Sequence, residues 1–407
     1  MNLQRPSTAV LIPTWREAPV IGDTVSHALK AWQQDNLRLY VGCYRNDPET
    51  IAAIVQSAGG DSRLRIVIHD QDGPTTKADC LNRLYFAMRD DEQRLGARFR
   101  MAVFHDAEDM VDPAALSLLD EAMNDADFAQ IPVEPQVHPD SRWLGSHYCE
   151  EFAESHGKGM VVRDALGAAL PAAGVGCAAS RESLERLRAE RADGQPFSTD
   201  SLTEDYELGL NIGANGGRCR FLRAVDEHGR QIATRAFFPA RLDQIVRQKT
   251  RWVHGIAFQG WDRMGWSGNM LESWMRARDR RGPITALVLA VGYSLLLLTG
   301  LLWILASVGG MEPETVSPML KALLLANLAA FVWRAVWRFA FTARIYGFAE
   351  GVRAVLRIPL SNIIAIMAGR RALFAYIRSL LGHQPIWDKT PHYAHPVRVG
   401  PAKAATA

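Results

Sequence analysis

Short apolar runs alternate with amphipathic stretches in the first third of the chain. The runs have the length and composition of buried parallel strands and fall at Val10 to Pro13, Leu37 to Cys43, Leu64 to His69 and Met101 to His105. The stretches between them have helical spacing and lie near residues 19–33, 48–58, 77–89 and 113–124. This alternation predicts a doubly wound α/β sheet, whose ligands bind beyond the carboxyl ends of the strands. The residues after each strand are therefore the first candidates for a site.

The pattern is less regular in the middle of the chain. Gln130 to Val133 predicts a further strand, and residues 142–165 predict a helix. Pro171 to Ala178 is a stretch of small residues that includes Gly174 and Gly176. Such a stretch allows a ligand or another segment to approach the backbone closely.

Two long apolar runs follow this region. Ile284 to Val308 carries no charge and is long enough to span a bilayer, and a weaker run covers residues 318–342. Arginines precede the first run and close the second, whereas the loop at 309–317 has no Lys or Arg. The positive-inside rule then places the loop outside and the α/β domain in the cytoplasm. Residues 346–381 mix apolar residues with arginines, which predicts interfacial amphipathic helices rather than a third span.

Four regions follow from these patterns. We expect a cytoplasmic α/β domain at 1–280, a transmembrane hairpin at 281–345, interfacial helices at 346–381 and a cytoplasmic tail at 382–407.

Composition excludes several classes of protein. The formal net charge is +2 with 22% charged residues, which is not the balance of a nucleic-acid binder. The five cysteines are scattered without close pairs, which argues against a disulfide framework and against a zinc site. No glycine-rich P-loop or dinucleotide-binding motif is present in the sequence.

Three carboxylates follow the fourth predicted strand within four residues. On an extended segment Asp106 and Glu108 point the same way and can share one divalent cation, while Asp109 leans to the other side. The alternative is a solvated strand end that leads into a helix beginning near Asp112 and Pro113.

Other chemistry-bearing residues follow the remaining strands. Thr14 and Glu17 lie after the first strand, Asp47 after the second, and Lys77 and Asp79 at the helix start after the third. A lysine at a helix start is unfavourable against the helix dipole, so an anion there would compensate it. The alternative is an ordinary surface lysine.

Two clusters stand out in the second half of the soluble region. Ser201 or Thr203 can cap a helix that carries Glu204 and Asp205 in its first turn. Further on, a basic helix places Gln248, Arg251 and Trp252 on one side. A simple capping box and a solvated basic face are the alternatives for these two clusters.

The motifs in chain order resemble a known group of enzymes. They are a Pro-Thr-x-x-Glu loop, an Asp after the second strand, Lys-Ala-Asp-x-x-Asn, Asp-x-Glu, Thr-Glu-Asp and Gln-x-x-Arg-Trp. With the apolar helices that follow, this series resembles the membrane-embedded family 2 glycosyltransferases of the cellulose-synthase and hyaluronan-synthase type. Longer segments resemble the bacteriophage-adsorption protein B family of bacterial glycosyltransferases, including Val41 to Pro48, Gly73 to Asn82, His147 to Glu154 and Trp387 to His392.

The resemblance implies a GT-A-like mixed sheet and a set of roles. Thr14, Glu17, Asp47, Lys77, Asp79 and Asp106 would bind the nucleotide sugar. Asp106, Glu108 and Asp109 would hold Mg²⁺ or Mn²⁺. Asp205, Glu204 and Arg251 would be catalytic, with Asp205 as the general base and Arg251 adding positive charge to the diphosphate. Gln248, Trp252, Gly174 and Gly176 would face the acceptor.

The resemblance also implies the reaction and the partners. We expect an inverting, metal-dependent enzyme of the bacterial inner membrane. It would move a sugar from a UDP-sugar, with a UDP-N-acetylhexosamine suggested by the family, to an envelope polysaccharide or lipid-linked acceptor. Its partners would be membrane lipid and either a second copy of the chain or an export partner in the outer envelope. We expect no nucleic-acid partner. A catalytically quiet scaffold of an envelope or phage-receptor complex is the alternative.

Members of that family usually carry an N-terminal membrane segment and a C-terminal domain linked to cyclic di-GMP sensing. We expect this chain to lack both, so control by cyclic di-GMP is not carried over from the resemblance.

Overall fold

The computed structural model describes residues 7–58, 60–309, 316–383 and 394–399. Most of the loop predicted at 309–317 and of the tail predicted at 382–407 lies outside these residues, as does Trp387 to His392.

Seven strands form one mixed sheet, in the order β3-β2-β1-β4-β7-β5-β8, and two more pair separately. The strands are β1 Thr8–Pro13, β2 Leu37–Tyr44, β3 Leu64–His69, β4 Met101–Phe104, β5 Phe128–Gln130, β6 Val133–Pro135, β7 Cys177–Ser180, β8 Cys219–Phe221 and β9 Thr234–Ala236. The first four are parallel, as predicted, and β7 runs antiparallel between β4 and β5. The carboxyl ends of β1 and β4 therefore meet at one edge of the sheet.

Helices connect the strands and cover both faces of the sheet. The helices of this part are α1 Ile21–Ala31, α2 Pro48–Ala58, α3 Lys77–Leu95, α4 Ala115–Ala122, α5 His147–Glu154, α6 Met160–Ala165, α7 Arg181–Glu190, α8 Glu204–Ala214, α9 Leu242–Val253, α10 Gly260–Met264 and α11 Met270–Arg280. Single π-helical turns join α5 to α6 and α9 to α10. Along β1, Val10 and Ile12 pack with α1 while Ala9 and Leu11 pack with α3, so alternate side chains serve the two core layers.

Helix α3 extends further than its apolar spacing predicts. Thr76 caps its first turn and Gly96, with a positive φ, ends it. The last six residues are mostly charged and partly exposed, so they carry little apolar periodicity.

The prediction of one continuous strand from Gln130 to Val133 is wrong. Gln130 ends β5 and Val133 begins β6, which pairs with β9 in the second sheet. Pro132 has no backbone N–H for a ladder. The side-chain amide of Gln130 donates instead to the carbonyls of Ile131, Val175 and Gly176.

The C-terminal part is helical. Its helices are α12 Gly282–Val308, α13 Pro318–Tyr346, α14 Phe348–Leu356, α15 Ile358–Leu380 and α16 Pro396–Val399. Three of them, α12, α13 and α15, are long and apolar enough to cross a membrane. The first two match the predicted hairpin, and α15 falls where interfacial helices are predicted.

A buried ion network joins these helices to the soluble domain. The Glu150 carboxylate on α5 accepts hydrogen bonds from Arg357 at 2.7 and 3.1 Å and from Arg338 on α13 at 2.9 Å. Arg357 also donates to Glu350 at 2.6 Å, and neither Arg357 nor Glu150 is exposed to solvent. Burial opposes the charge of Glu150, but His147 and the two arginines hold its pKa below the usual range.

Replacing Glu150→Ala should destabilise the protein by about 3–5 kcal/mol, because it removes the carboxylate that Arg338 and Arg357 share and leaves Arg357 with Glu350 as its ion-pair partner. Thermal or denaturant unfolding in detergent measures the change. The matched control is Glu154→Ala on the same helix, whose exposed pair with Lys158 should contribute about 1 kcal/mol or less. Equal effects of the two variants would show that the network does not hold the helices.

Candidate active site

One cleft opens at the carboxyl ends of β1 and β4. It encloses about 1190 Å³, including space open to solvent. Most of the predicted site residues line it, namely Thr14, Glu17, Lys77, Asp106, Glu108, Asp109, Glu204, Asp205, Gln248, Arg251 and Trp252. The cleft is thus surrounded by the loops after β1 and β4, the first turns of α3 and α8 and the last turns of α9.

Lys77 lies at the centre of the polar part of the cleft. Its Nζ is 2.6 Å from Oδ1 of Asp106 and 4.0 Å from Oε1 of Glu204. Burial disfavours the ammonium ion, but the charges of Asp106, Glu204 and Asp205 outweigh burial and raise the Lys77 pKa above its ordinary value. Lys77 is therefore a fixed positive charge rather than a surface lysine.

Glu204 and Asp205 open helix α8 beside this charge. Oδ1 of Asp205 accepts a hydrogen bond from the Tyr206 N–H at 2.7 Å. Burial raises the pKa of Asp205, against the attraction of Lys77. Burial and the neighbouring Asp205 charge raise the pKa of Glu204 to about 7. The pair places proton-accepting groups with raised pKa values next to a cation.

The three carboxylates predicted to share a cation do not all face the cleft in the same way. Asp109 is buried, and its Oδ2 lies 2.9 Å from His105 Nδ1 and accepts from the Asp106 N–H at 3.0 Å. In the described part of the chain, no group of three or more His, Cys, Asp or Glu residues is arranged to hold a metal ion. All three carboxylates line the cleft, but only Asp106 and Glu108 are partly exposed. A Mg²⁺ or Mn²⁺ site of one or two carboxylates completed by phosphate oxygens and water fits this pair.

The first two loops are tied to each other through the predicted nucleotide-binding residues. Thr14 Oγ1 donates to the Gly42 carbonyl at 2.6 Å, and Asp47 Oδ2 accepts from the Arg16 N–H at 2.6 Å. Asp47 lies behind the loop rather than in the cleft wall. Asp79 is also outside the wall, where its carboxylate lies 3.1 Å from His69 Nε2.

Of the predicted acceptor residues, Gln248 and Trp252 line the cleft, Gly174 lies beside Asp205, and Gly176 lies away from the cleft. Gln248 accepts a hydrogen bond from the Tyr148 hydroxyl at 2.6 Å, and the Trp252 ring packs edge-on against Tyr148. Gly174 has φ +79°, and a Cβ there would lie 2.5 Å from Asp205 Oδ2. Gly176 instead lies against Thr234 and Ile131, away from the cleft.

Aromatic side chains that the sequence interpretation did not select form another wall of the cleft. They are Trp15, Phe152, Phe237 and Phe238. Phe237 and Phe238 could have been recognised from the Phe-Phe-Pro sequence directly after β9, because site residues in such folds lie in the loops that follow strands.

The mixed sheet and its acidic cleft agree with the comparison of the chain with protein families. Residues 6–255 match the family model described as "Glycosyltransferase like family 2". The chain belongs to this family, and its enzyme class is glycosyltransferase. The predicted GT-A-like α/β fold followed by apolar helices is confirmed.

Two curated relatives come from Escherichia coli. Bacteriophage adsorption protein B of strain K12 is 34% identical over 411 residues, covering 94% of this chain and 54% of that protein. Bacteriophage N4 adsorption protein B of O157:H7 gives the same identity and coverage. The chain spans about half the length of these relatives.

Solved structures show weaker similarity. The mannosyltransferase PcManGT from Pyrobaculum calidifontis, in complex with GDP-Man and Mn²⁺, has a TM-score of 0.47 at 16% identity, covering 88% of each chain. Glucosyl-3-phosphoglycerate synthase from Mycobacterium tuberculosis, in complex with Mn²⁺, UDP and phosphoglyceric acid, has a TM-score of 0.36 at 15% identity, covering 60% of this chain and 78% of that one. Neither score bears on function.

Replacing Gly174→Ala should lower sugar transfer at least about tenfold, because the new Cβ must displace the Asp205 carboxylate. Sugar transfer and nucleotide binding are measured side by side, and nucleotide binding should persist. The control is Gly167→Ala, which has a similar positive φ of +66° but nothing within 4 Å of its Cβ. The same loss in both variants would assign the effect to backbone strain rather than to Asp205.

Proposed function

We propose that the chain is an inverting, metal-dependent glycosyltransferase that moves a sugar from a UDP-sugar to a glycan or lipid-linked acceptor at the bacterial inner membrane. The observation that carries the proposal is the placement of Lys77 among Asp106, Glu204 and Asp205 in one cleft. This arrangement combines a cation for a diphosphate, a metal-binding carboxylate and a candidate base. The family's N-acetylhexosamine preference remains a suggestion for the donor.

The donor would lie between the first loop and Lys77. Thr14 and Glu17, with the loop held by Asp47, would contact the uridine, and the Lys77 ammonium would pair with the diphosphate. Asp106 and Glu108 would hold Mg²⁺ or Mn²⁺, which supplies positive charge to the leaving diphosphate. Asp109, paired with His105, would keep the loop of these ligands in place.

Asp205 would act as the base. As the acceptor oxygen forms its bond to the anomeric carbon, the bond from that carbon to the diphosphate breaks and the acceptor proton passes to Asp205. A pKa raised by burial makes this carboxylate a better proton acceptor, and general base catalysis contributes roughly 10²- to 10⁴-fold. Arg251 and Glu204 would tune the charge beside it, and Gly174 leaves room for its carboxylate.

The acceptor would enter along α9 and the aromatic wall. The Trp252 indole offers a face for a sugar ring, and Gln248, held by Tyr148, offers an amide. Two membrane spans are few for a self-contained glycan channel, so we infer a dimer, an export partner or a single transfer to a lipid-linked acceptor.

The last described segment supports an even number of membrane crossings. His395 is buried with Nε2 3.3 Å from the Asp109 carbonyl, and the Arg398 guanidinium pairs with Asp23 on α1. Residues 394–399 therefore pack on the catalytic domain, and the number of crossings between that domain and His395 must be even.

Among the three candidate spans, we infer that α15 is the one that does not cross the membrane. Ser361 near its start lies 3.1 Å from His147, and Tyr376 near its end donates to Asp262 at 3.0 Å. Both ends of α15 thus contact the catalytic domain. We infer that α12 and α13 form the spanning hairpin, with α15 on the cytoplasmic side as an interfacial helix.

The detergent-purified protein should release UDP from one member of a UDP-sugar panel in the presence of Mn²⁺, and chelation should stop the release. Asp205→Asn should lower transfer by about 10²-fold or more with UDP binding retained, since it removes the proton acceptor. Asp200→Asn, an exposed change on the same segment, is the control and should leave transfer unchanged. Transfer that survives Asp205→Asn would refute the base assignment, and a wild type that binds no UDP would favour the scaffold alternative.

Single cysteines should report the topology. In intact cells, a membrane-impermeant maleimide should label Met319→Cys at the start of α13, and should label His383→Cys after α15 only when the membrane is opened. The native cysteines are all buried and give a low background. Labelling of His383→Cys from outside would mean that α15 crosses the membrane.

A further inference from the structure

The segment that leads into α12 exposes large apolar side chains. Trp261 and Trp266 are about half exposed, Trp274 more so, and Met270 is 90% exposed. Trp261 and Trp266 contact each other, and exposed apolar patches mark binding surfaces more often than ordinary solvent contact. We propose that residues 261–281 form a membrane-docking surface that lies in the headgroup layer of an anionic lipid bilayer.

Two of the tryptophans are held in place by one arginine. The Arg280 guanidinium lies 5.7 Å from the ring centre of Trp261 and 5.2 Å from that of Trp266. It donates to the carbonyls of Gly260 at 2.7 Å and Gly265 at 2.8 Å. The two indoles meet edge to face at 4.8 Å. The two tryptophans are therefore held in a fixed arrangement by Arg280, which lies two residues before the start of α12.

Helix α11 presents a second part of the surface. Its inner face buries Met275, Arg276 and Arg280. Met270, Trp274 and Arg278 recur every four residues on its outer face, and Arg281 continues that face. An outer face with bulky apolar residues and arginines near its end has the character of a helix that lies along a membrane surface.

The position of the surface argues for lipid as its occupant. Helix α12 starts at Gly282, directly after α11, and nearly all of its apolar side chains are exposed. Tryptophan is enriched where a spanning helix meets the headgroups, and arginine side chains reach from the apolar boundary to lipid phosphates. The inference rests on the proposed membrane insertion of α12 and does not require sugar transfer.

Binding of this surface to the bilayer would fix the distance between the membrane and the acceptor end of the cleft. Asp279 on α11 accepts from Arg163 at 2.8 Å and from the Tyr206 hydroxyl at 3.0 Å. Tyr206 is the residue after Asp205. A bilayer that holds α11 thus holds the start of α8, and with it the candidate base, at a set distance from the lipid.

The test uses the full chain in vesicles of phosphatidylethanolamine and phosphatidylglycerol. An environment-sensitive dye is attached at Met270→Cys, at Trp274→Cys and, as the control, at Val55→Cys on α2, which is exposed and far along the chain from α12. At the first two positions we expect a shift of dye emission to shorter wavelength and a loss of emission when lipids brominated near the headgroup are included. The dye at position 55 should show neither.

Two results would overturn the proposal. Dyes at 270 and 274 that remain as exposed and unquenched as the dye at 55 would show that lipid does not cover this surface. Dyes that are shielded but not quenched by brominated lipid would assign the surface to a protein partner or a second copy. UDP release measured on the same vesicles separates the two proposals, because lipid quenching without UDP release would leave the docking inference intact and remove the proposed function.

Discussion

The ion pair between Lys77 and Asp106, 2.6 Å apart, joins parts of the chain that local structure alone would not bring together. Lys77 opens α3, Asp106 follows β4, and Glu204 and Asp205 open α8. A lysine at a helix start is opposed by the helix dipole, whereas the two acids at the start of α8 are favoured by it. Lys77 offsets part of the repulsion among these acids, and burial together with the charge of Asp205 raises the pKa of Glu204 to about 7.

In the proposed donor complex, the ion pair between Lys77 and Asp106 would have to loosen before Asp106 binds a metal ion. Oδ1 of Asp106 cannot pair with the Lys77 ammonium and bind a divalent cation at full strength at the same time. In that complex, a diphosphate that arrives with its cation would offer Lys77 new anionic partners and would leave the Asp106 carboxylate to the metal.

Much of the fold and part of the site could be predicted from the sequence, because both depend on local patterns. Buried parallel strands give apolar runs, and the sheet topology places the loops after β1 and β4 in one cleft. The features that could not be predicted depend on particular side-chain contacts. The pairing of Asp109 with His105 is one such contact, and the donation of the Gln130 amide to three carbonyls, where a strand was expected to continue, is another. The aromatic wall likewise forms only when the loop after β9 meets α5 and α9.

The acceptor helix α9 lies between the cleft and the C-terminal helices, and both sides constrain it. Toward the C-terminal helices, Lys249 pairs with Glu151, next to the Glu150 that binds Arg338 and Arg357. Toward the cleft, Gln248 and Trp252 pack on Tyr148 of the same helix α5. Tyr148, Glu150 and Glu151 of α5 therefore link the C-terminal helices to α9 through hydrogen bonds and ion pairs. Because these contacts run through one helix, a displacement of the C-terminal helices would also shift α9, and in the proposed function this would couple the membrane part to the acceptor side of the cleft.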